Sequence, residues 1–302
     1  MAFAQHRSSD AIGAIEHRYD LWIGAALIIA GELAFATMGA AIRVIAGHVS
    51  NEMVVFFRNA LALLLFIPWL VRDGLRYAAS TEAPSLHLVR GLAGLGAMYC
   101  FFYAIAHMPL AEAMLLKLSA PLFIPFVAYA WLGETAPWRT RIAIGIGFIG
   151  VALILAPDLS TVAPVALVAL LGGLLAAVAK VTVRRLSHTE PAGRIILYFT
   201  LIGTAVSAVP LLWAWEAPSP QEAVWLFLIA VLATIGQWCL TRGLGHASAP
   251  RLAPFVYSSV IFGAGYGWWF WDEPVSWIAA AGALLVALAG VLAANRRKDQ
   301  AD

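Results

Sequence analysis

Long apolar segments alternate with short polar breaks along almost the whole chain. An α-helix needs about 20 mostly apolar residues to cross the hydrocarbon core of a bilayer. Charged, glycine and proline residues mark the breaks, as at Asp73-Gly74, Glu190-Pro191 and Asp272-Glu273-Pro274. The pattern therefore predicts ten spanning helices, here numbered spans 1 to 10. They cover residues 21–45, 52–71, 84–107, 110–132, 138–156, 163–186, 192–215, 220–243, 252–271 and 274–294.

The predicted fold class is an all-α polytopic membrane protein. Strands of a membrane β-barrel have about ten residues and alternate in polarity, whereas these segments are continuously apolar and about twice as long. Of the 302 residues, 62% are hydrophobic and 12% are charged, while about a quarter of the residues in soluble domains are charged. This composition excludes a soluble enzyme, a nucleic-acid-binding protein and a disordered scaffold.

Positive charges are distributed unequally between the two sets of loops. Cytoplasmic loops of membrane proteins carry an excess of Lys and Arg. With the N-terminus in the cytoplasm, fourteen cations fall on that side: Arg7, Arg18, Arg72, Arg76, Arg139, Arg141, Arg184, Arg185, Arg194, Arg242, Arg251, Arg296, Arg297 and Lys298. Only Arg43 falls on the outer side. The distribution predicts two cytoplasmic tails, residues 1–20 and 295–302, and the polar residues 1–20 contain no signal-peptide core.

The second half of the chain repeats the first at a nearly fixed offset. A shift of 139 residues superposes Cys100 on Cys239, His107 on His246, Ser119 on Ser258, Phe123 on Phe262, Glu134 on Glu273 and Trp138 on Trp277. A shift of 141 superposes Arg43 on Arg184 in spans 1 and 6. Because each half holds five spans, an odd number, the second half has to lie upside down in the membrane. We predict two inverted five-helix repeats, residues 21–156 and 163–294, a construction typical of secondary transporters.

Two stretches carry a resemblance to a known family. The first is RGLAGLGAMYCFFYAIAHMPLAEAMLLKLSAPLF, residues 90–123, followed by WLGE at 131–134, and the second half repeats it loosely as GHASAPRLAPFVYSS and DEP. With these motifs the chain resembles the drug/metabolite transporter superfamily, in the branch of bacterial ten-helix exporters with two EamA-type repeats. Within that branch it is most similar to the amino-acid exporters, including the aromatic type. The resemblance implies the bacterial inner membrane and a central cavity walled by spans 1, 3, 4, 6, 8 and 9.

Ionisable side chains at membrane depth are costly and normally face the bundle interior, so each is a candidate functional residue. Glu32, Lys117 and Lys180 are the foremost, and at Glu32 the chain departs from many relatives, which have an apolar or aromatic residue there. Glu32 is interpreted as a proton-coupling carboxylate or a counter-charge for an amino group, or else as a structural partner of Lys117 or Lys180, or a protonated acid. Lys117 would bind a substrate carboxylate or form an internal salt bridge. Lys180 would bind substrate or snorkel to the cytoplasmic interface.

Polar and aromatic residues form one stripe along span 3 and another along span 8. The candidate lining residues of a substrate cavity are Tyr99, Tyr103, Gln237, Trp238 and Tyr257. Such a lining would suit an apolar or aromatic side chain held by a few hydrogen bonds. The alternative is that the stripes serve packing and hydrogen bonding between helices.

Other functional classes find little support in the sequence. A G-x-G-x-x-G match at Gly145, Gly147 and Gly150 lies inside span 5, not after a strand, so it does not indicate a dinucleotide site. No aspartate lies at membrane depth, and HExxH, GxSxG and Walker motifs are absent. We therefore predict no enzyme activity, no cofactor and no metal site. A receptor or scaffold subunit stays open, although such proteins seldom need an inverted duplication.

The predicted function is secondary transport by alternating access. The expected cargo is a small exported metabolite, with neutral or aromatic amino acids foremost. The alternative is efflux of cationic drugs or of another metabolite, with Glu32 as a proton or cation site. The expected partners are the small-molecule substrate and the lipid bilayer, without nucleic acid, and the expected state is a monomer or weak dimer.

Overall fold

A computed structural model describes residues 2–73, 80–133, 138–155, 163–246, 252, 255–273 and 277–294. Within these ranges the chain is almost entirely helical, and no strand occurs beyond one isolated bridge between Ala46 and Val49. The helices are α1 (Ala2–Ile45), α2 (Asn51–Asp73), α3 (Pro84–His107), α4a (Leu110–Lys117), α4b (Ala120–Leu132), α5 (Trp138–Leu155), α6 (Ala163–Leu186), α7a (Ala192–Ala208), α7b (Leu211–Ala214), α8 (Pro220–His246), α9 (Ser258–Trp271) and α10 (Trp277–Ala294).

The helices follow the ten predicted spans, with differences at their ends. Span 4 is two helices and not one, and so is span 7. Helix α1 begins at Ala2, so it includes the segment predicted as a polar tail, where no proline interrupts the helix. Five described stretches are long and apolar enough to cross a membrane: Leu21–Ile45, Pro84–His107, Leu110–Trp131, Pro164–Leu186 and Pro220–Leu240.

The packing of the helices repeats between the two halves. Helix α1 packs along α8, and α3 packs along α6. Likewise α1 contacts α9 while α4b contacts α6, and α2 contacts α8 while α3 contacts α7a. If each helix is replaced by the helix five spans away, the α1–α8 contact becomes α6–α3, and α1–α9 becomes α6–α4b. In the same way α2–α8 becomes α7a–α3, so the two halves use equivalent helix contacts. The predicted all-helical, two-repeat fold is thus confirmed.

Two close helix contacts show the same relation at single residues. In the first, a Cβ added to Gly31 of α1 would lie 3.2 Å from Cβ of Cys239 on α8. In the second, a Cβ added to Gly172 of α6 would lie 2.8 Å from Cβ of Cys100 on α3. The glycines differ by the 141-residue offset and the cysteines by the 139-residue offset. Small residues at both crossings let the helix backbones approach closely.

Span 4 is interrupted immediately after Lys117. Proline has no N–H, so Pro121 cannot donate the helical hydrogen bond that the Lys117 carbonyl would accept. The turn is closed instead by Ser119, whose amide and hydroxyl donate to the Leu116 carbonyl at 3.0 and 2.6 Å. Lys117 therefore ends α4a, where the partial negative charge of a helix C-terminus favours a cation.

The main apolar core lies at the end of the bundle predicted to be outer. It is built from the end of α1, the start of α2, the end of α3 and the whole of α4a. Its largest fully buried side chains include Met53, Ile105, Leu110, Met114 and Leu116. The other two buried clusters are much smaller. Tight packing therefore closes the end of the structure that is predicted to be outer.

Candidate functional site

Glu32 and Lys117 form an ion pair between α1 and α4a. The Glu32 Oε2 and Lys117 Nζ atoms are 3.8 Å apart. Glu32 is only 3% exposed, whereas the Lys117 side chain is 31% exposed. The buried Oε2 atom accepts no hydrogen bond from the described residues. Since 3.8 Å exceeds hydrogen-bond length, the pair attracts electrostatically while both groups keep the capacity to bind a further polar atom.

Two phenylalanine rings flank the ammonium group of Lys117. Its Nζ atom lies 4.8 Å from the ring centroid of Phe35 on α1 and 5.3 Å from that of Phe101 on α3. Both distances fall within the range of cation–π attraction. These phenylalanines were not among the predicted site residues, because one apolar residue in an apolar span carries no signal of its own. Together the rings give the site an apolar wall beside a charged group.

Lys180 of α6 is the third of these candidates. Its side chain is exposed, and it is subject to repulsion by Lys117 and attraction by Glu32. The structure thus brings together Glu32 and Lys117, from two helices that the family resemblance places around the cavity. The role of Lys180 in substrate binding stays a prediction.

The candidate tyrosines of α3 lie in different surroundings. The Tyr99 carbonyl accepts a hydrogen bond from the Asn51 side chain at 3.2 Å, and its buried Oη atom has no hydrogen-bond partner among the described residues. Tyr103 is partly exposed and stacks on His107, with ring centroids 4.1 Å apart. On the stripe between them, Cys100 packs against α6, so part of this face serves helix contact.

Tyr103 lines a cavity at the ends of α1 and α3 that are predicted to be outer. It has a volume of about 320 Å³ and polar lining groups that include His48, Asn51, His107 and Glu216. In the part of the chain that the structure describes, no three His, Cys, Asp or Glu side chains come together as metal ligands.

The candidates on α8 and beside α9 have other neighbours. Gln237 is exposed, and Trp238 is 56% exposed with the Arg242 guanidinium 5.5 Å from its ring centroid. Tyr257 is half-buried against the main core. Their role in substrate binding stays a prediction.

A network at the outer end, which we call the outer tie, was not predicted. Arg43, at the end of α1, forms an ion pair with Glu273 after α9, and its Nη1 atom donates to the Met108 carbonyl at 3.0 Å. Glu273 Oε2 accepts a hydrogen bond from the Leu110 amide at the start of α4a, also at 3.0 Å. The Arg43 guanidinium lies 4.9 Å from the ring centroid of Trp271. One pair of side chains therefore joins α1, the α3–α4a turn and α9.

A buried network fastens the predicted inner end. Glu190, between α6 and α7a, accepts hydrogen bonds from Arg194 at 2.5 Å and Thr81 at 2.6 Å, and His87 Nε2 lies 3.8 Å from it. Burial raises the pKa of Glu190, but the hydrogen bonds from Thr81 and Arg194 outweigh it, so the pKa lies below its ordinary value. The network ties the α6–α7a turn to the start of α3.

Comparison with known proteins places these features in a family. The EamA-like transporter family model matches residues 22–156 and 163–295. A pseudopaline exporter of Pseudomonas aeruginosa is 32% identical, over 91% of this chain and 97% of that protein. A riboflavin transporter of Vibrio cholerae is 26% identical (85% and 89% covered), and an S-adenosylmethionine uptake transporter of Rickettsia prowazekii is 24% identical (73% and 74% covered). A crystal structure with a TM-score of 0.62 and 19% identity, covering 91% of this chain and 97% of its own, supports the fold alone.

Proposed function

The chain belongs to the EamA-like transporter family, and on that premise we propose that it exports small zwitterionic metabolites of the amino-acid type. It is a transporter and not an enzyme. The observation that carries the proposal is the Glu32–Lys117 pair, an acid and a base held at membrane depth beside the rings of Phe35 and Phe101.

The charges of the pair complement those of an amino acid. The partly exposed side chain of Lys117 would bind the substrate carboxylate, and the Glu32 carboxylate would attract its amino group. Removing either charge alone would leave the other without compensation in a medium of low dielectric constant, which is strongly unfavourable. A zwitterion adds one charge of each sign, so it can enter without unbalancing the pair.

The remaining candidates belong to the proposed cavity wall. The aromatic rings of Phe35 and Phe101 support a substrate with an apolar or aromatic portion, as expected from the sequence. Tyr99, Tyr103, Gln237, Trp238 and Tyr257 are proposed to line the path, with the unpartnered Tyr99 hydroxyl as one orienting group. We also propose alternating access of two inverted halves at residues 21–156 and 163–294, cytoplasmic termini in a bacterial inner membrane, and a monomer or weak dimer.

Two other substrates compete with the amino-acid type. Similarity to the pseudopaline exporters over almost the whole chain favours a metabolite of that kind as the second candidate. Efflux of cationic drugs, with Glu32 as the cation or proton site, is disfavoured because Lys117 presents a like charge 3.8 Å from that carboxylate.

Transport in liposomes separates these candidates. We expect purified protein to move labelled phenylalanine and glutamine, and Lys117→Met to slow both at least about tenfold, because a lost charge-assisted contact is worth about 1.5–3 kcal/mol. Lys117→Arg should keep part of the activity. Gly265→Ala is the control, since a Cβ there meets open space. Movement of tetraphenylphosphonium with no amino acid moved would overturn the proposal.

Proton coupling is tested in the same vesicles. If Glu32 carries the proton, an imposed pH gradient accelerates transport by the wild type and not by Glu32→Gln. Equal rates with and without the gradient in both proteins would instead contradict proton coupling and favour facilitated diffusion.

A further inference from the structure

Two arginines contact one aromatic ring between α2, α3 and α7a, three helices that pack against one another. The guanidinium carbon of Arg90 on α3 lies 4.2 Å from the ring centroid of Phe199 on α7a, and that of Arg58 on α2 lies 5.9 Å from it. The two cations are therefore no further apart than the sum of these distances. We call Arg58 and Arg90 the arginine pair.

Neither member of the arginine pair has a carboxylate partner among the residues that the structure describes. Arg58 donates a hydrogen bond from Nη1 to Oδ1 of Asn59 at 3.1 Å. The Nε atom of Arg90 is buried, and no described residue accepts a hydrogen bond from it. Since a guanidinium carries five N–H donors, the pair keeps donors for a ligand.

Gly94 of α3 provides the room in which the Arg90 guanidinium lies against the ring. A Cβ added at Gly94 would overlap Nη1 of Arg90 and would lie 2.8 Å from Cε2 of Phe199. On the side of α2, Asn59 is fully buried, and its Nδ2 atom donates to the carbonyl four residues earlier at 2.8 Å. This bond orients the Asn59 oxygen towards Arg58. Local packing therefore positions both guanidinium groups.

Both arginines lie well inside the predicted membrane spans. Arg58 is seven residues from the start of α2 and Arg90 six residues from the start of α3, which correspond to about 10 and about 9 Å along a helix axis. In the predicted orientation α2 starts at the outer end and α3 at the inner end, so the two cations meet at depth. Attraction to one ring does not offset the cost of holding two like charges there, and the pair therefore calls for an anion.

We propose that the arginine pair binds a small oxyanion, a phosphate or carboxylate group, between α2, α3 and α7a. The planar forks of guanidinium groups match the oxygen atoms of such anions and donate parallel hydrogen bonds to them. Two cations favour a doubly charged anion, so phosphate should bind more tightly than a single carboxylate. The site shares no residue with the Glu32–Lys117 pair, so the inference goes beyond the proposed function and can fail without it.

Thermal unfolding of the purified protein in detergent tests the site with inorganic phosphate as the probe. At about pH 8, where phosphate is mostly doubly charged, about 10 mM sodium phosphate should raise the Tm of the wild type by at least about 2 °C, because a ligand that binds only the folded state stabilises it. The reference is sodium chloride of the same ionic strength.

Three variants should each lose at least about three-quarters of this rise, because each disturbs one charge-assisted fork. Arg58→Gln and Arg90→Gln remove a cation, whereas Gly94→Ala keeps both charges and displaces the Arg90 guanidinium. Arg242→Gln is the matched control, since Arg242 also lies near an aromatic ring, 5.5 Å from that of Trp238, but has an exposed side chain. It should keep the full rise, and so it also measures the general stabilisation of proteins by phosphate salts.

A lipid phosphate is the other source of the same chemistry. If a headgroup fills the site, the wild type has a higher Tm in nanodiscs of phosphatidylglycerol than of phosphatidylcholine, phosphate adds nothing in the former, and Arg90→Gln removes the difference. A site for a free anion gives the phosphate rise in both lipids.

Two results would overturn the proposal. The first is a wild type with equal Tm in phosphate and chloride and equal Tm in the two lipids, a comparison that does not depend on whether any variant folds. The second is a constant loss of Tm in Arg58→Gln and Arg90→Gln, the same in both salts and both lipids, because arginines that only pack against Phe199 would behave in this way.

Discussion

Glu190 shows how a single acidic residue holds two segments together. The carboxylate is 5% exposed and receives hydrogen bonds from Thr81, before α3, and from Arg194, in the first turn of α7a. Both donors favour the ionised form, which is why the pKa of Glu190 is lowered despite burial. The stability of this end of the bundle therefore depends on the charge of one side chain.

The direction of the pH effect follows from that shift. A group whose pKa is lower in the folded state stabilises the fold above its unfolded pKa, about 4.3 for Glu, and loses this contribution as the pH falls through the folded value. We expect Glu190→Gln to lower the Tm at pH 7 by about 2–4 °C, the equivalent of about 1 kcal/mol. Below about pH 4.3 the curves of wild type and variant should converge.

Thermal unfolding in detergent between pH 7 and pH 3.5 measures this convergence. Glu82→Gln, which changes an exposed acid in the same linker as Thr81, is the matched control and should leave the curve unchanged. Parallel curves for wild type and Glu190→Gln over the whole range would contradict the assignment.

A site residue could be predicted from the sequence only where its residue type is unusual in its span. Glu32, Lys117 and Lys180 stood out because charges are rare in apolar spans. Phe35 and Phe101 did not, since the chain has 15 phenylalanines and only packing shows which two face Lys117. The pairing of Glu32 was open among several partners until α1 and α4a were placed side by side.

At the scale of helices, the glycine–cysteine crossings determine how closely the two halves approach. A methyl group at Gly172 would lie 2.8 Å from Cβ of Cys100, too close for any real pair of Cβ atoms, whereas at Gly31 the corresponding distance is 3.2 Å. The helix pair α3–α6 is therefore packed more tightly at this point than its counterpart α1–α8.

We expect Gly172→Ala to destabilise the protein by about 1–3 kcal/mol through overpacking, and Gly31→Ala to do so by less. Gly145→Ala is the control, because an added Cβ at Gly145 meets nothing within 4 Å. Tm values of the three variants in one detergent measure the order. Equal Tm values for Gly172→Ala and Gly145→Ala would show that the α3–α6 contact accommodates the added methyl group without loss of stability.

The helix boundaries illustrate what a hydrophobic pattern does not resolve. Span 4 reads as one continuous apolar segment, yet it divides between Lys117 and Ala120. The cause, Pro121, is visible in the sequence, but proline is tolerated in many membrane helices and does not by itself show where a helix divides. Hydropathy likewise gave no sign that α1 continues back to Ala2.

At the scale of the whole molecule, the outer tie and the core beneath it close one end of the bundle. The pair of Arg43 and Glu273 connects helices of both repeats, and the side chains are only 20% and 13% exposed. The alternating access that we propose requires this end to open. Breaking the tie should therefore shift the population towards forms with an open outer end.

We expect Arg43→Gln to increase the labelling of a cysteine placed at the fully buried position Met114 by about tenfold, which corresponds to about 1.4 kcal/mol. A membrane-impermeant maleimide added to the outside measures the rate, with Cys100 and Cys239 replaced by serine. The control is Glu222→Gln, an acid of the same end whose carboxylate accepts a hydrogen bond from the amide of the neighbouring Ser219. Equal labelling in the two variants would rule out a closing role for Arg43.

The repeat was the most predictable large-scale feature, because identical pairs at offsets of 139 and 141 recur as equivalent helix contacts. The outer tie was not predictable in the same way. Its partners belong to the first and ninth helices, and only the folded arrangement brings them together.

The outer tie also bears on biogenesis. Spans enter the membrane in the order of synthesis. In the predicted orientation Arg43 therefore reaches the outer end with the first helix, against the usual bias of positive charge towards the cytoplasm. Its carboxylate partner arrives only with the turn after α9. Until then the end of α1 carries a cation without its acid, and the Leu110 amide lacks its acceptor. Formation of this contact therefore distinguishes a chain inserted through span 9 from every shorter intermediate.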